Sequence, residues 1–201
     1  PVKNWQEGTF EPAYKFVDDL RNARRGYCRL CPYSDTESMY NSSGERHMLW
    51  EHWGPAGTNC LISDIEALQS SFSLCQRYGM DTISTGGALA FAMECYEKGL
   101  LTKKDTDGIE LTWGNHRAMV EMVRRIGERE GLGWLLGEGT KRAAEQIGGT
   151  APEYAIHAKG LEFPMHDPRV AVGYAVQYAT GSIGATHSEA QLSSYFIEDY
   201  L

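Results

Sequence analysis

The amino-acid sequence predicts a mainly α-helical domain, and three observations carry that expectation. Apolar residues recur at helical spacing in several stretches between residues 63 and 179, side chains able to cap a helix precede most of them, and strand signals are sparse. To about Arg25, a turn-rich start (Gly8, Pro12) gives way to an apolar rhythm at Tyr14, Phe16, Val17 and Leu20, which predicts a short helix. Residues 26–61 are rich in Gly, Pro, Ser, Asn and Trp without a sustained period, so they read as an irregular segment held by something other than a strand ladder, such as a metal centre.

Ser63 with Glu66 has the capping-box pattern, and Ile65, Leu68, Phe72 and Leu74 or Cys75 continue one apolar face to Gly79. After Asp81 a second helix is expected through Ile83, Ala88, Ala90, Phe91 and Cys95, ending at Gly99. It is apolar nearly all round and should be buried. Asn115 can cap a third helix with Met119, Met122, Val123 and Ile126 facing inward, and Thr140 opens a fourth through Ile147. Pro152 to Pro168 reads as a loop, whose Asp167 and Pro168 supply an N-cap and a first-turn proline for a helix to about Ala179. Gly181 and Gly184 precede a last amphipathic stretch from Ser188, and Asp107 to Trp113 can form a brief extended piece. Without an internal repeat or a linker, residues 1–201 are expected to form a single helical domain that reaches toward the next.

The chain has 201 residues, 42% of them apolar, enough for one sizeable core. With 19 basic and 27 acidic residues the net charge is -8, which argues against nucleic acid or an anionic membrane as the main partner. No apolar run approaches the roughly 18 residues a membrane span needs, and the start lacks a signal-peptide layout. A cytoplasmic protein is expected. Five cysteines, an odd count with Cys60, Cys75 and Cys95 widely separated, suit thiols in a reducing compartment better than a disulfide framework. The lack of an initiator Met and the final helix-like residues lead to the expectation of a piece of a longer polypeptide.

Cys28 and Cys31 form a Cys-x-x-Cys followed by Pro32, a spacing that lets two thiolates reach one metal centre from a tight turn. A redox dithiol, which usually opens a helix after a strand, and a plain structural pair are the rivals. Asp35 can add an oxygen ligand or be an ordinary loop carboxylate. A zinc site would need a fourth ligand from a histidine. Glu51, between Trp50 and His52, is a carboxylate in an aromatic setting where its proton affinity can rise toward that of a general acid or base; His52 and His47 are lesser candidates for the same work. His187 follows two glycines that let backbone approach a ligand closely, although a loop histidine is more often a surface or capping residue.

Several blocks in order resemble the tungsten-containing aldehyde ferredoxin oxidoreductase family: Gly57-Thr58-Asn59-Cys60 through Ala67, Tyr78-Gly79-Met80-Asp81-Thr82-Ile83-Ser84 with Ala90 to Glu94, Gly139 to Ala144, and His157-Ala158-Lys159-Gly160-Leu161-Glu162 with Asp167-Pro168-Arg169. The resemblance runs from Asn4 to at least His187. It implies the helical second domain of that family, reaching toward the third, in an enzyme that oxidises aldehydes to carboxylic acids. Its cofactors would be a tungsten bis-pterin and a 4Fe-4S cluster, and its partners ferredoxin or another electron-transfer protein, the remaining domains of the parent polypeptide and, compatibly, a second copy in a homodimer.

The same resemblance implies site residues. Cys28 and Cys31 match two cluster ligands, and Asp35 stands where the family usually has a third cysteine. Gln76, Gly79, Met80 and Asp81 match the pterin-contacting pattern, with Gln76 in place of an acid. Glu51 matches the acidic residue near tungsten and His187 the histidine expected to handle protons, while an arginine that the family carries before Gly184 is replaced by Ile183. These departures fit a branch resembling the tungsten subunit of ATP-independent benzoyl-CoA reductases, in which Cys60 would be a tungsten ligand. Cys60 also reads as a small buried hydrophobe at a helix start. A rival of another class is a helical module that binds partners without metal.

Overall fold

The computed structural model describes residues 1–12, 24–25, 39–40 and 50–187. Two short strands, β1 (Arg24–Arg25) and β2 (Met39–Tyr40), pair antiparallel with Arg24 opposite Tyr40, so the segment carrying Cys28, Cys31 and Asp35 is bracketed by a small ladder. Those three residues, the helix expected near Tyr14 to Leu20 and the stretch from Ser188 lie outside the described residues. The expectation that residues 26–61 form an irregular segment held by something other than a ladder needs correction at Met39–Tyr40, which pairs as β2, and from Trp50 onward. After the ladder, α1 (Trp50–His52) runs into a π-helical turn, Trp53–Gly57, and a 3-10 turn, Thr58–Cys60. Glycine, proline and aromatic residues hide these short turns because none is long enough to show a period.

Helix α2 (Ile65–Tyr78) is capped by Asp64, whose carboxylate accepts from the Ala67 amide at 2.8 Å, rather than by Ser63. Glu66 therefore lies in the first turn, where it complements the positive helix end instead of closing a capping box. Gly79 ends the helix at φ 66, a left-handed conformation that favours glycine, and both Gly79 and Met80 return amides to the Cys75 carbonyl. Asp81 then caps α3 (Thr82–Glu97) by accepting from Ile83 at 3.1 Å.

Helix α3 is the centre of the molecule, with Ala88 to Cys95 buried without interruption. A methyl group added to Gly86 would come within 2.4 Å of the Pro55 Cβ, so the π-helical turn lies flush on this helix. Helix α4 (His116–Glu128), capped by Asn115 as expected, packs on α2 through Met119, Met122, Val123 and Ile126. The short α5 (Leu132–Leu136) escaped the sequence reading because five residues carry no periodicity. Helix α6 (Thr140–Ile147) has the expected bounds.

The segment expected as a loop before Pro168 contains a hairpin, β3 (His157–Ala158) with β4 (Leu161–Glu162), closed by Lys159 and Gly160 at φ 57 and 90. Two successive positive φ values are the signature of the type I′ turn. Asp107 to Trp113 forms no strand; Asp107 and Gly108 adopt positive φ and turn the chain instead. Asp167 also acts differently from expectation. Its carbonyl accepts from Val170 and Ala171 and its carboxylate from Arg169, which closes a turn, and α7 (Val172–Thr180) starts after that turn.

The first residues hook into this frame. Lys3, Asn4 and Trp5 all have positive φ, and the Asn4 amide nitrogen donates to the Glu94 carboxylate at 2.6 Å and the Tyr154 carbonyl at 2.9 Å. Backbone bonds from Lys3 and Asn4 to Thr58 and Asn59 complete the attachment, so the strain of three left-handed residues is offset by buried hydrogen bonds.

Candidate functional site

Two adjoining cavities meet at the start of α3 and share Asp81 and Ser84. The larger, about 360 Å³, is lined by Tyr78, Met80, Thr85 and Ile126 and by the Gly127, Gly137 and Gly139 backbones, with Arg129 at its edge. The smaller, about 200 Å³, is bounded by Ile83, Leu161, Glu162, Pro164, Ala185, Thr186 and His187. Asp81 and His187, which lie far apart in sequence, therefore face one space. Glycine suits the larger wall because a Cβ on Gly127 would come within 2.4 Å of the Tyr78 ring, so backbone and ring lie in direct contact there.

Asp81 is anchored at both ends. Its carboxylate accepts from the Ile83 amide and its carbonyl from the Thr85 hydroxyl at 2.6 Å. Surrounding protein pushes its carboxyl above the ordinary range and Glu162 adds to this, whereas the Ile83 and Ser84 amides and His187 oppose it. Glu162 is buried and accepts from the Thr140 amide at 2.7 Å and the Thr140 hydroxyl at 2.9 Å, so a strand residue satisfies the start of α6. Sequence reasoning did not single it out. The only signal was a carboxylate closing the His157 to Glu162 block.

Glu51 stands at the same corner: its carbonyl accepts from the Thr82 hydroxyl at 3.1 Å, and its Oε2 is buried with no partner among the described residues. His52, next to it, points into the core. Ser71 donates its proton to the Leu68 carbonyl, so His52 Nε2 must donate to Ser71 at 2.7 Å, leaving Nδ1 as a buried, unpartnered acceptor. Burial pushes its pKa down to about 4.

Of the other predicted residues, Met80 lines the larger cavity, Gly79 forms the helix corner, and Gln76 is exposed on α2. Cys60 lies apart from the site, fully enclosed, with its thiol directed at the Pro55 and Gly86 carbonyls at 3.6 and 3.8 Å. Burial holds it in the thiol form. Cys28, Cys31 and Asp35 are outside the described residues, and among the described residues no group of three or more His, Cys, Asp or Glu converges as a metal site.

His166 was also missed. Its ring stacks on Tyr174 with centroids 4.7 Å apart and meets the His187 ring at 5.0 Å. Among the described residues no helix is long and apolar enough to cross a membrane.

Comparison with known proteins places this geometry in context. The chain is 36% identical to a tungsten-containing aldehyde ferredoxin oxidoreductase of Thermococcus kodakarensis over 100% of its length, covering 34% of that protein. It is 38% identical over 94% of its length to the aliphatic sulfonate oxidoreductase WOR-like subunit of Pyrococcus furiosus, covering 32% of it. The chain thus spans about a third of the relatives it matches. The solved active-site complex BamBC of benzoyl coenzyme A reductase, in complex with 1,5-dienoyl-CoA, shares the fold at a TM-score of 0.69 and 24% identity, covering 100% of this chain and 33% of that one. The family model for domains 2 and 3 of aldehyde ferredoxin oxidoreductase matches residues 1–199, and the chain belongs to that family.

Proposed function

We propose that this chain forms part of a tungsten-pterin, iron-sulfur oxidoreductase that oxidises aldehydes to carboxylic acids and passes electrons to ferredoxin. The observation that carries the reading is the meeting of Asp81, Glu162 and His187 in one cavity at the start of one buried helix, beside the Glu51 backbone bonded to Thr82, in a chain that matches the family over nearly its whole length. The residues present fit a pterin: the larger cavity offers the Asp81 carboxylate and the Ser84 and Thr85 hydroxyls. Bound there, the tungsten centre would supply the two-electron oxidation.

This chain's own residues would do the rest. Asp81, with Gly79 and Met80 setting the corner, would accept hydrogen bonds from the pterin edge, and Gln76 would contribute only through neighbouring domains. Glu51 and His187 would take the two protons released as water adds to the aldehyde and two electrons leave it, and pass them on to solvent. Cys28 and Cys31, with Asp35, would hold the 4Fe-4S cluster. The enclosed position of Cys60 supports its reading as a buried hydrophobe and argues against a tungsten ligand. Residues 1–201 would act as one helical domain within the parent polypeptide.

The test is made on the anaerobically purified parent protein, measuring tungsten, iron, acid-labile sulfide and aldehyde-dependent dye reduction. Cys28→Ala with Cys31→Ala should remove iron and sulfide, and Glu51→Gln should keep tungsten while slowing turnover by about 100-fold or more. A parent protein without tungsten, or a Glu51→Gln variant at full rate, would sink the reading.

A further inference from the structure

His187 follows the glycines of the loop after α7, and its ring lines the smaller cavity beside a column of aromatic plates. The column begins with Phe163, stacked on Tyr178 at 4.8 Å and 22°. Tyr178 stacks on Tyr174 at 5.8 Å, and Tyr174 on His166 at 4.7 Å with the rings 12° from parallel. The His166 ring then meets His187 at 5.0 Å and 50°. Its backbone is fixed as well: its amide donates to the Pro164 carbonyl at 2.7 Å, and its carbonyl accepts from the Tyr178 hydroxyl at 3.2 Å. Both Tyr174 and Tyr178 are buried on α7, so the plate that His187 touches is held from two sides.

We propose that His166 is a positioning residue for His187, a fixed aromatic plate that holds the His187 ring in the smaller cavity, with the two imidazoles acting as one coupled pair. This rests on the reading of His187 as a proton carrier given above.

Two cationic rings at this separation repel, so the pair accepts protons one at a time. The surroundings of the two rings differ. On the cavity side His187 faces the carboxylates of Asp81 on α3 and Glu162 on β4. His166 faces the uncharged Tyr174 and Tyr178, while the neighbouring Asp167 is already engaged by Arg169. Burial, reinforced by His187, holds the His166 pKa below its ordinary value. His166 can therefore serve as a flat, neutral support.

The test is a nitrogen-15 imidazole NMR titration of the full 201-residue chain, which needs neither metal nor turnover. In the wild type, His166 should take its proton below the ordinary imidazole range. His187→Gln should raise the His166 midpoint by about one pH unit, the size of a like-charge effect at this range. His166→Ala should shift the His187 ring resonances, and His166→Phe, which keeps a plate on Tyr174, should return them toward their wild-type positions. A His166 midpoint that ignores His187→Gln overturns the proposal, as does a His187 ring whose resonances ignore His166→Ala. Because His187 borders a loop, the His187→Gln arm stays informative even if a His166 variant folds poorly. If the coupling is present but His187→Gln leaves the parent enzyme at full rate, the pair stands and the catalytic role given to His187 fails.

Discussion

Helices α3 and α7 are both rich in small and apolar residues, yet they end in opposite environments. In α3 every residue from Ala88 to Cys95 is buried, whereas α7 turns Tyr174 and Tyr178 inward and leaves Val172 and Val176 66% and 55% exposed. Val170 and Ile183, just outside α7, are more open still or comparably so, at 84% and 62%. The difference lies in what each helix has for neighbours. Helix α3 is covered by α1, the π-helical turn, α4, α5 and α6, and α7 has the hairpin and its aromatic column on one side. Among the described residues, Val172 and Val176 leave an apolar face of α7 open.

The largest expected effect is in the buried helix. Phe91→Ala should cost about 3–5 kcal/mol in urea unfolding, because the ring is wholly enclosed and the space cannot collapse. A loss under half of that would mean that α3 is less central than its burial implies.

Next is a pH effect from the same core, where His52 lies 5.5 Å from the Phe72 ring. The folded chain accepts the His52 proton only near pH 4, against an ordinary 6.5 for the unfolded chain. Between those values the unfolded state binds more protons, so stability should fall as pH drops from 6.5 to about 4, with no further change from this group below. The shift corresponds to about 3 kcal/mol, and His52→Gln should remove that slope. An unchanged slope in the variant would assign the acid sensitivity elsewhere.

The smallest effect belongs to α7. Val176→Ser should change the stability of this chain by no more than about 0.5 kcal/mol, as expected for an exposed position. The same substitution in the parent protein should cost more if another domain covers that face; equal effects in both settings would remove the contrast between the two helices.

Much of the frame was legible because helix ends are local events. Asn115 and Gly79 act where their types predicted, since capping needs only a side-chain oxygen or a left-handed residue beside the first or last turn. Asp64 and Asp167 show the limit. Choosing between adjacent cap candidates, or between a helix and a turn, depends on how the chain arrives, which pattern does not carry. The hairpin around Lys159 and Gly160 and the short α5 were missed because neither is long enough for a period. Of the candidate site, Asp81, Met80, Glu51 and His187 were named from resemblance, while Glu162 and His166 were not, since their roles come from Thr140 and Tyr174 across the fold.

By itself, then, the sequence determined the helical class, the Asn115 cap and the Gly79 break, the apolar character of α3 and the family. Those follow from interactions within a few residues or from motifs in order. Only the tertiary structure decided that Asp81 and His187 share a cavity, that Cys60 is sealed in the core and that His166 supports His187. Burial, repulsion and ring stacking act through space between residues distant in the chain, and no local pattern fixes which of them will meet.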